Sequence, residues 1–162
     1  MLMLKPAILY KDLIIQCFQE RFYTEDMMFE TSHNGNWSPE IFDCPDETQF
    51  QYAVVNSEEE LIGYISFRID WYASVAYNFG LISFDKGNVL MGYGLREVMD
   101  MIINDFKLHK IEWKMVSGNP AQSSYDRFLK AYNGNKVIHH DDFKDKYGKY
   151  HDSIYYEIIL DN

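Results

Sequence analysis

The chain has 162 residues and a hydrophobic fraction of 47%, enough for one packed domain and short for two. Its 25 acidic and 15 basic residues give a formal charge of −10, which argues against a nucleic-acid partner, whose footprint is a basic stripe. No stretch reaches the roughly eighteen apolar residues of a membrane span, and two cysteines, Cys17 and Cys44, make neither a disulfide framework nor a zinc spacing.

The opening MLMLKPAILYKD is broken by Lys5, Pro6 and Lys11, unlike a signal peptide. A soluble cytoplasmic protein is expected, monomer or homodimer, with no membrane contact and no metal. Leu2 to Leu9 reads as a first strand. Tyr10, Leu13, Ile14, Cys17 and Phe18 then recur at helical spacing, and that helix should end near Tyr23. Thr24 to Thr48 reads as loop with a short helix at most.

Phe50 to Val55 and Leu61 to Asp70 read as a hairpin turned by Asn56 to Glu60. Leu61, Gly63, Ile65, Phe67 and Ile69 make an apolar face, so the second strand is expected to be half-buried. Val75 to Phe84 is a third strand, with Gly80 marking a bulge or a close backbone approach. After Asp85-Lys86-Gly87-Asn88 and Gly92-Tyr93-Gly94 comes a helix. Its apolar stripe is Leu95, Val98, Met99, Ile102, Ile103 and Phe106.

Ile111, Trp113 and Met115 alternate in a strand. Asn119-Pro120 should start a second helix, with Asn119 as the cap. Asn133-Gly134-Asn135 should stop it. Val137 to Phe143 and Ser153 to Leu160 complete the chain. The strand–helix–strand unit from Val75 to Val116 calls for parallel neighbours with a right-handed connection.

Helix starts offer unpaired N–H groups and a positive dipole end, and glycine lets an anion come close. Gly92-Tyr93-Gly94 is therefore either a phosphate cradle or a turn. The surrounding succession is Lys107-Leu108-His109-Lys110-Ile111-Glu112 into a strand, then Ser117-Gly118-Asn119-Pro120, Tyr125-Asp126-Arg127, and Gly148-Lys149-Tyr150-His151-Asp152-Ser153. From Leu61 to Leu160 this order resembles the GCN5-related N-acetyltransferase (GNAT) superfamily, and within it the ribosomal-protein N-terminal acetyltransferase-like branch.

The resemblance implies an α+β (mixed α/β) GNAT fold over residues 1–162. Its mostly antiparallel sheet would have six to seven strands, including a splayed parallel pair, flanked by three to four helices. It implies acetyl-CoA as co-substrate. The backbone of Val89, Leu90, Gly92, Tyr93 and Gly94 would hold the pyrophosphate, and Ile82, Ser83 and Phe84 would pair with the pantetheine arm. Asn119 would contact the cofactor across the splay, and Tyr125 would protonate the departing thiolate. Val89 stands where the family usually has Arg or Gln. Tyr125 follows Asn119 by six residues, where seven is commoner.

Acetyl transfer needs a neutral amine, and deprotonating an alkyl amine of pKa ~10.4 at pH 7 costs about 4–5 kcal/mol. Asp70, Asp85 and Glu112 are the candidate bases. Asn78 and Ser83 are candidates to orient a water, and a backbone N–H near Phe84 is the candidate oxyanion donor. His33, Trp37, Trp71 and Tyr72 are candidate acceptor contacts. His139-His140-Asp141-Asp142 reads as a solvated strand end, and His151-Asp152 as a structural hydrogen bond. The acidic balance favours a cationic amine acceptor, such as a polyamine, an aminoglycoside-like compound or a basic peptide. A non-catalytic GNAT-fold module that binds acyl-CoA or serves interaction is the alternative.

Overall fold

In a computed structural model, described for residues 3–24, 28–33, 37–44 and 46–160, seven strands form one sheet. They are β1 (Met3–Pro6), β2 (Gln49–Val55), β3 (Leu61–Asp70), β4 (Val75–Ser83), β5 (Lys110–Val116), β6 (Asn135–Lys144) and β7 (Tyr150–Ile159). Their order is β1-β2-β3-β4-β5-β7-β6. Every pairing is antiparallel except β4 with β5, as the crossover requires. The helices are α1 (Lys11–Thr24), α2 (Met28–Thr31), α3 (Leu90–Asp100) and α4 (Gln122–Ala131). Mixed sheet, short parallel pair and flanking helices together match the architecture that the resemblance implies.

Each sheet face carries its own core. On one, Ile65, Phe67, Ile111, Met115, Tyr156 and Ile158 pack under Val98, Met99 and Ile102 of α3 and Leu129 of α4. On the other, Ala53, Val55, Tyr64 and Ile82 pack under Ile14 and Phe18 of α1. Apolar area removed from water on both faces supplies the main stabilisation. This corrects the expectation for β3: Tyr64, on its supposedly polar face, is buried because α1 lies over it, while Arg68 and Asp70 beyond α1 are exposed.

Strand and helix ends depart from the sequence reading in identifiable places. The first strand stops at Pro6, and Ala7–Tyr10 winds into a 3-10 turn before α1; Leu2 lies outside the described residues. Asn56 turns the β2–β3 hairpin by accepting the Glu58 and Glu60 N–H groups on Oδ1, at 2.9 Å each. Gly94, in the second turn of α3, lies so close to the sheet that an added Cβ would come within 3.1 Å of Val54. The helix therefore includes both glycines instead of following them. Beyond Asp100 it continues as a π-wound turn, Met101–Asp105.

The expected bulge lies beside Gly80. Ser66 pairs with Gly80 but Arg68 with Tyr77, so β4 carries an extra residue there, and Asn78 adopts φ +53°. The β4–β5 pairing covers two residue pairs, Val75 with Lys110 and Ala76 with Ile111. Past them the strands separate.

Candidate active site

The separated strands open into a cavity of about 780 Å³. Its walls come from both halves of the sheet: Leu81, Ile82 and Ser83 of β4 face Trp113 and Met115 of β5. Backbone alternation decides which groups reach it. Phe84 N–H donates to Ile62 O at 2.8 Å, so Phe84, Ile82 and Gly80 turn their amides to β3, while Ser83 and Leu81 turn theirs to the splay. The Ser83 carbonyl accepts from Arg21 Nη1 at 2.6 Å. The Phe84 N–H is thus spent within the sheet. The amides of Leu81 and Ser83 replace it as candidate donors, a correction that follows from strand parity.

At the open end lie Lys86, Gly87 and Asn88, then the start of α3. Leu90 N–H donates to Asn88 Oδ1 at 2.9 Å, and Asn88 Nδ2 donates to Asp85 Oδ2 at 2.7 Å. Gly92 N–H and Tyr93 N–H both turn back on Val89 O, so these two amides belong to the helix ladder. The Gly92 surface is bare: an added Cβ would meet nothing within 4 Å. Val89 is 72% exposed and Tyr93 52% exposed, with the Arg96 guanidinium 5.9 Å from the Tyr93 ring.

Tyr125 and Asn119 both line the cavity. Tyr125 projects from α4 beside Trp113 and Tyr156, and burial pushes its phenol up to about 12. It is therefore protonated at neutral pH. Asn119 lies three residues ahead of α4, where its Oδ1 accepts the Ala121 N–H at 2.8 Å; this corrects the expected cap, because Asn119 closes the turn that leads into the helix, which starts at Gln122 with Ala121 as its N-cap and no side-chain cap. Its Nδ2 donates to Phe29 O at 2.7 Å. The side chain thus clamps α2 to the start of α4, leaving one amide hydrogen and one lone pair for a ligand.

Asp70, Asp85 and Glu112 are not on the cavity wall. Asp70 accepts the Ala73 N–H, and Glu112 pairs with Lys110 at 2.8 Å. Among the described residues the one carboxylate lining the cavity is Glu30 of α2, which sequence reasoning missed because that segment reads as loop. Trp37 lines the cavity, whereas Trp71 packs on Phe106 and donates to Glu47 O. His33 is exposed and stacks on Trp37 at 4.2 Å. Asn78 is exposed at the bulge, and Ser83 Oγ donates to Asp85 O at 2.6 Å.

The distal histidines hold hairpin geometry. His151 Nε2 meets Asp145 Oδ2 at 2.9 Å, and Asp152 takes His140 and the Asp141 N–H. His151 and Asp152 thus each serve the structural hydrogen bonding expected of them, His151 with Asp145 and Asp152 with His140 and Asp141. Among the described residues no group of three or more His, Cys, Asp or Glu side chains could hold a metal ion, and no helix is long and apolar enough to cross a membrane.

No family model and no curated protein matches the sequence. Solved structures do match the fold. A protein assigned as a phosphinothricin N-acetyltransferase superposes with a TM-score of 0.77 at 15% identity, over 100% of both chains. Spermidine N-acetyltransferase from Vibrio cholerae, solved with CoA and spermine, gives 0.68 at 15% identity, over 98% of this chain and 95% of that one. A protein assigned as an acetyltransferase gives 0.56 at 16% identity; there the match spans 70% of this chain and 63% of the other.

Proposed function

We propose that this chain is an acetyl-CoA-dependent N-acetyltransferase, passing the acetyl group directly to a primary amine within a ternary complex. The observation that carries the proposal is the splay. A parallel pair joined at only two residue pairs opens a cavity along a β4 edge that leaves its neighbour strand, and a helix with a bare glycine starts at its mouth. The residues fit a CoA-like molecule. The Leu81 and Ser83 amides, turned to the splay, offer donors to an amide-bearing arm, and the start of α3 offers a positive dipole end to phosphates. Bound there, acetyl-CoA supplies a thioester whose sulfur leaves readily, the thiol pKa being ~8.5.

Tyr125 then acts as a hydrogen-bond donor to the sulfur. Its phenol, at about 12, lies well above a thiol, so full proton transfer to thiolate is uphill by about 5 kcal/mol and water completes it. Asn119 positions α2 against α4. The neutral acceptor amine forms the C–N bond as the C–S bond breaks, and the one proton its nitrogen sheds passes through water to the departing thiolate. The likeness to acetyltransferases of small amines supports an amine acceptor, and the sequence resemblance extends the candidates to protein N-termini.

One feature favours a second reading, an acyl-CoA-binding module without turnover: the exposed Val89 gives phosphates neither charge nor amide. Release of free CoA from acetyl-CoA, followed over a panel of primary amines, separates the two. Amine-dependent release supports the enzyme. Saturable acetyl-CoA binding with no release for any amine refutes it.

A further inference from the structure

An ammonium must give up a proton before its nitrogen can attack, so the cavity needs a proton acceptor. Among the described residues the titratable side chains on its wall are Arg21, Glu30, Tyr64, Lys86, Lys114 and Tyr125. Arginine and lysine are donors only. Tyr125 keeps its proton, burial having raised its phenol to about 12, and burial raises Tyr64 as well. His33 stands off the wall, its Nδ1 bonded to Thr31 O at 2.6 Å. Glu30 is left.

The structure places Glu30 at the splay. Its helix, α2, touches both β4 and β5, so it sits against both sides of the opening. Phe29, the residue before Glu30, is held by the turn between β5 and α4. Asn119 Nδ2 donates to the Phe29 carbonyl at 2.7 Å, and a Cβ on Gly118 would stand 3.4 Å from the Phe29 ring. The His151 ring meets the same ring edge-on at 6.2 Å. The wall that begins at Asn119 continues through Pro120, Ala121 and Ser124 to Tyr125, all on the cavity. One side chain, Asn119, thereby ties the helix of Glu30 to the segment that carries the hydrogen-bond donor for sulfur. The Glu30 side chain is half-buried, and its carboxylate has no ion pair or hydrogen bond among the described residues.

We infer that Glu30 is the general base of the acetyl transfer, acting through a water. This rests on the acetyltransferase reading. The acceptor arrives as an ammonium. One proton passes through the water to a Glu30 oxygen, and the half-buried carboxyl hands it on to solvent. The nitrogen lone pair so freed forms the C–N bond. The C–S bonding pair leaves on sulfur, and the second proton that nitrogen sheds goes to the thiolate. The sum is one amide, one thiol and one proton released. The first transfer is uphill for a carboxylate, and formation of the amide draws it on. Nothing in this role depends on the rest of the acceptor, so it serves a monoamine, a polyamine and a peptide N-terminus alike.

The test uses the full chain with acetyl-CoA and three acceptors: spermidine, benzylamine and a basic peptide with a free N-terminus. CoA release is followed for the native protein, Glu30→Gln and Glu30→Asp, with the acceptor that the native protein turns over fastest. The range runs from about pH 6.5 to about pH 10, toward the pKa of an alkyl amine. Melts with acetyl-CoA are run alongside. At pH 7, Glu30→Gln should lose about a hundredfold or more in kcat with a much smaller change in the amine KM, and Glu30→Asp should recover part of the loss. The glutamine variant uses only amine that is already neutral. Its kcat should therefore climb about tenfold per pH unit and approach the native value near the amine's own pKa, ~10.4 for an alkyl amine. Acetyl-CoA should raise Tm equally in all three proteins. A loss that is the same at every pH overturns the inference, because a structural role gives parallel profiles. A loss confined to the amine KM overturns it too, as does an undiminished kcat in Glu30→Gln. Release with none of the three acceptors, while acetyl-CoA still raises Tm, overturns the enzyme reading and this inference with it.

Discussion

Replacing Gly92 by alanine separates stability from ligand binding. Gly92 sits in the first turn of α3, exposed, with nothing within 4 Å of where a Cβ would stand. Alanine at such a site gains about 0.5–1 kcal/mol over glycine, because less backbone freedom is lost on folding. In a chain of this size that raises Tm by roughly 1–4 °C. Acetyl-CoA at 100 times its Kd stabilises the native protein by about 2.7 kcal/mol, equivalent to roughly 5–10 °C. If phosphates lie against the bare backbone at Gly92, the methyl group occupies their closest approach. Gly92→Ala should then melt higher than the native protein alone yet gain less from acetyl-CoA, and Gly92→Val should gain almost nothing. The assay is a thermal melt of all three with acetyl-CoA, with adenosine diphosphate as control. Equal acetyl-CoA shifts in all three would refute the assignment and leave Gly92-Tyr93-Gly94 as the plain first turn of a helix.

Tyr125→Phe should leave the fold intact, since its hydroxyl has no protein partner among the described residues, and should lower kcat by about tenfold or more with little change in the KM for acetyl-CoA. The Tyr125 phenol is raised by burial to about 12, so the folded state holds that proton more tightly than the unfolded one. Its contribution is complete below the unfolded value of ~10 and is lost as pH rises from there through about 12; pH-dependent melts of Tyr125→Phe should lack that loss. Asn119→Ala removes the bonds to Phe29 O and the Ala121 N–H and should cost about 1–2 kcal/mol. A thermal melt of Asn119→Ala against the native protein checks this.

The elements that were legible in the sequence are those whose causes are local. The stripe Val98-Met99-Ile102 announced α3, Asn56 announced its turn by side-chain acceptance, and Gly80 marked the bulge beside it. The start of α3 was misplaced because glycine is a poor helix former, whereas here Gly94 is set by the nearness of Val54 across the sheet. For the site, Ile82, Ser83, Asn119 and Tyr125 were named from sequence and do line one cavity. Glu30 was not legible. Its four-residue helix has too little periodicity to read, and its placement depends on a hydrogen bond from Asn119, far along the chain. The candidate bases Asp70, Asp85 and Glu112 failed for the converse reason: a carboxylate at the right sequence distance says nothing of which side of the sheet it serves.

The two-pair seam between β4 and β5 has a mechanical consequence. It behaves as the tip of a crack in an otherwise continuous sheet. The tip is backed by Ser74, in a left-handed conformation at φ +58°, whose carbonyl accepts the His109 N–H at 2.9 Å and the Lys110 N–H at 3.2 Å. The two slabs, β1–β4 and β5-β7-β6, are each zipped by long antiparallel ladders, so opening stress concentrates on that short stretch. An extended ligand laid along β4 would add stitches from the wide end, arresting the crack where the two strands share no ladder of their own.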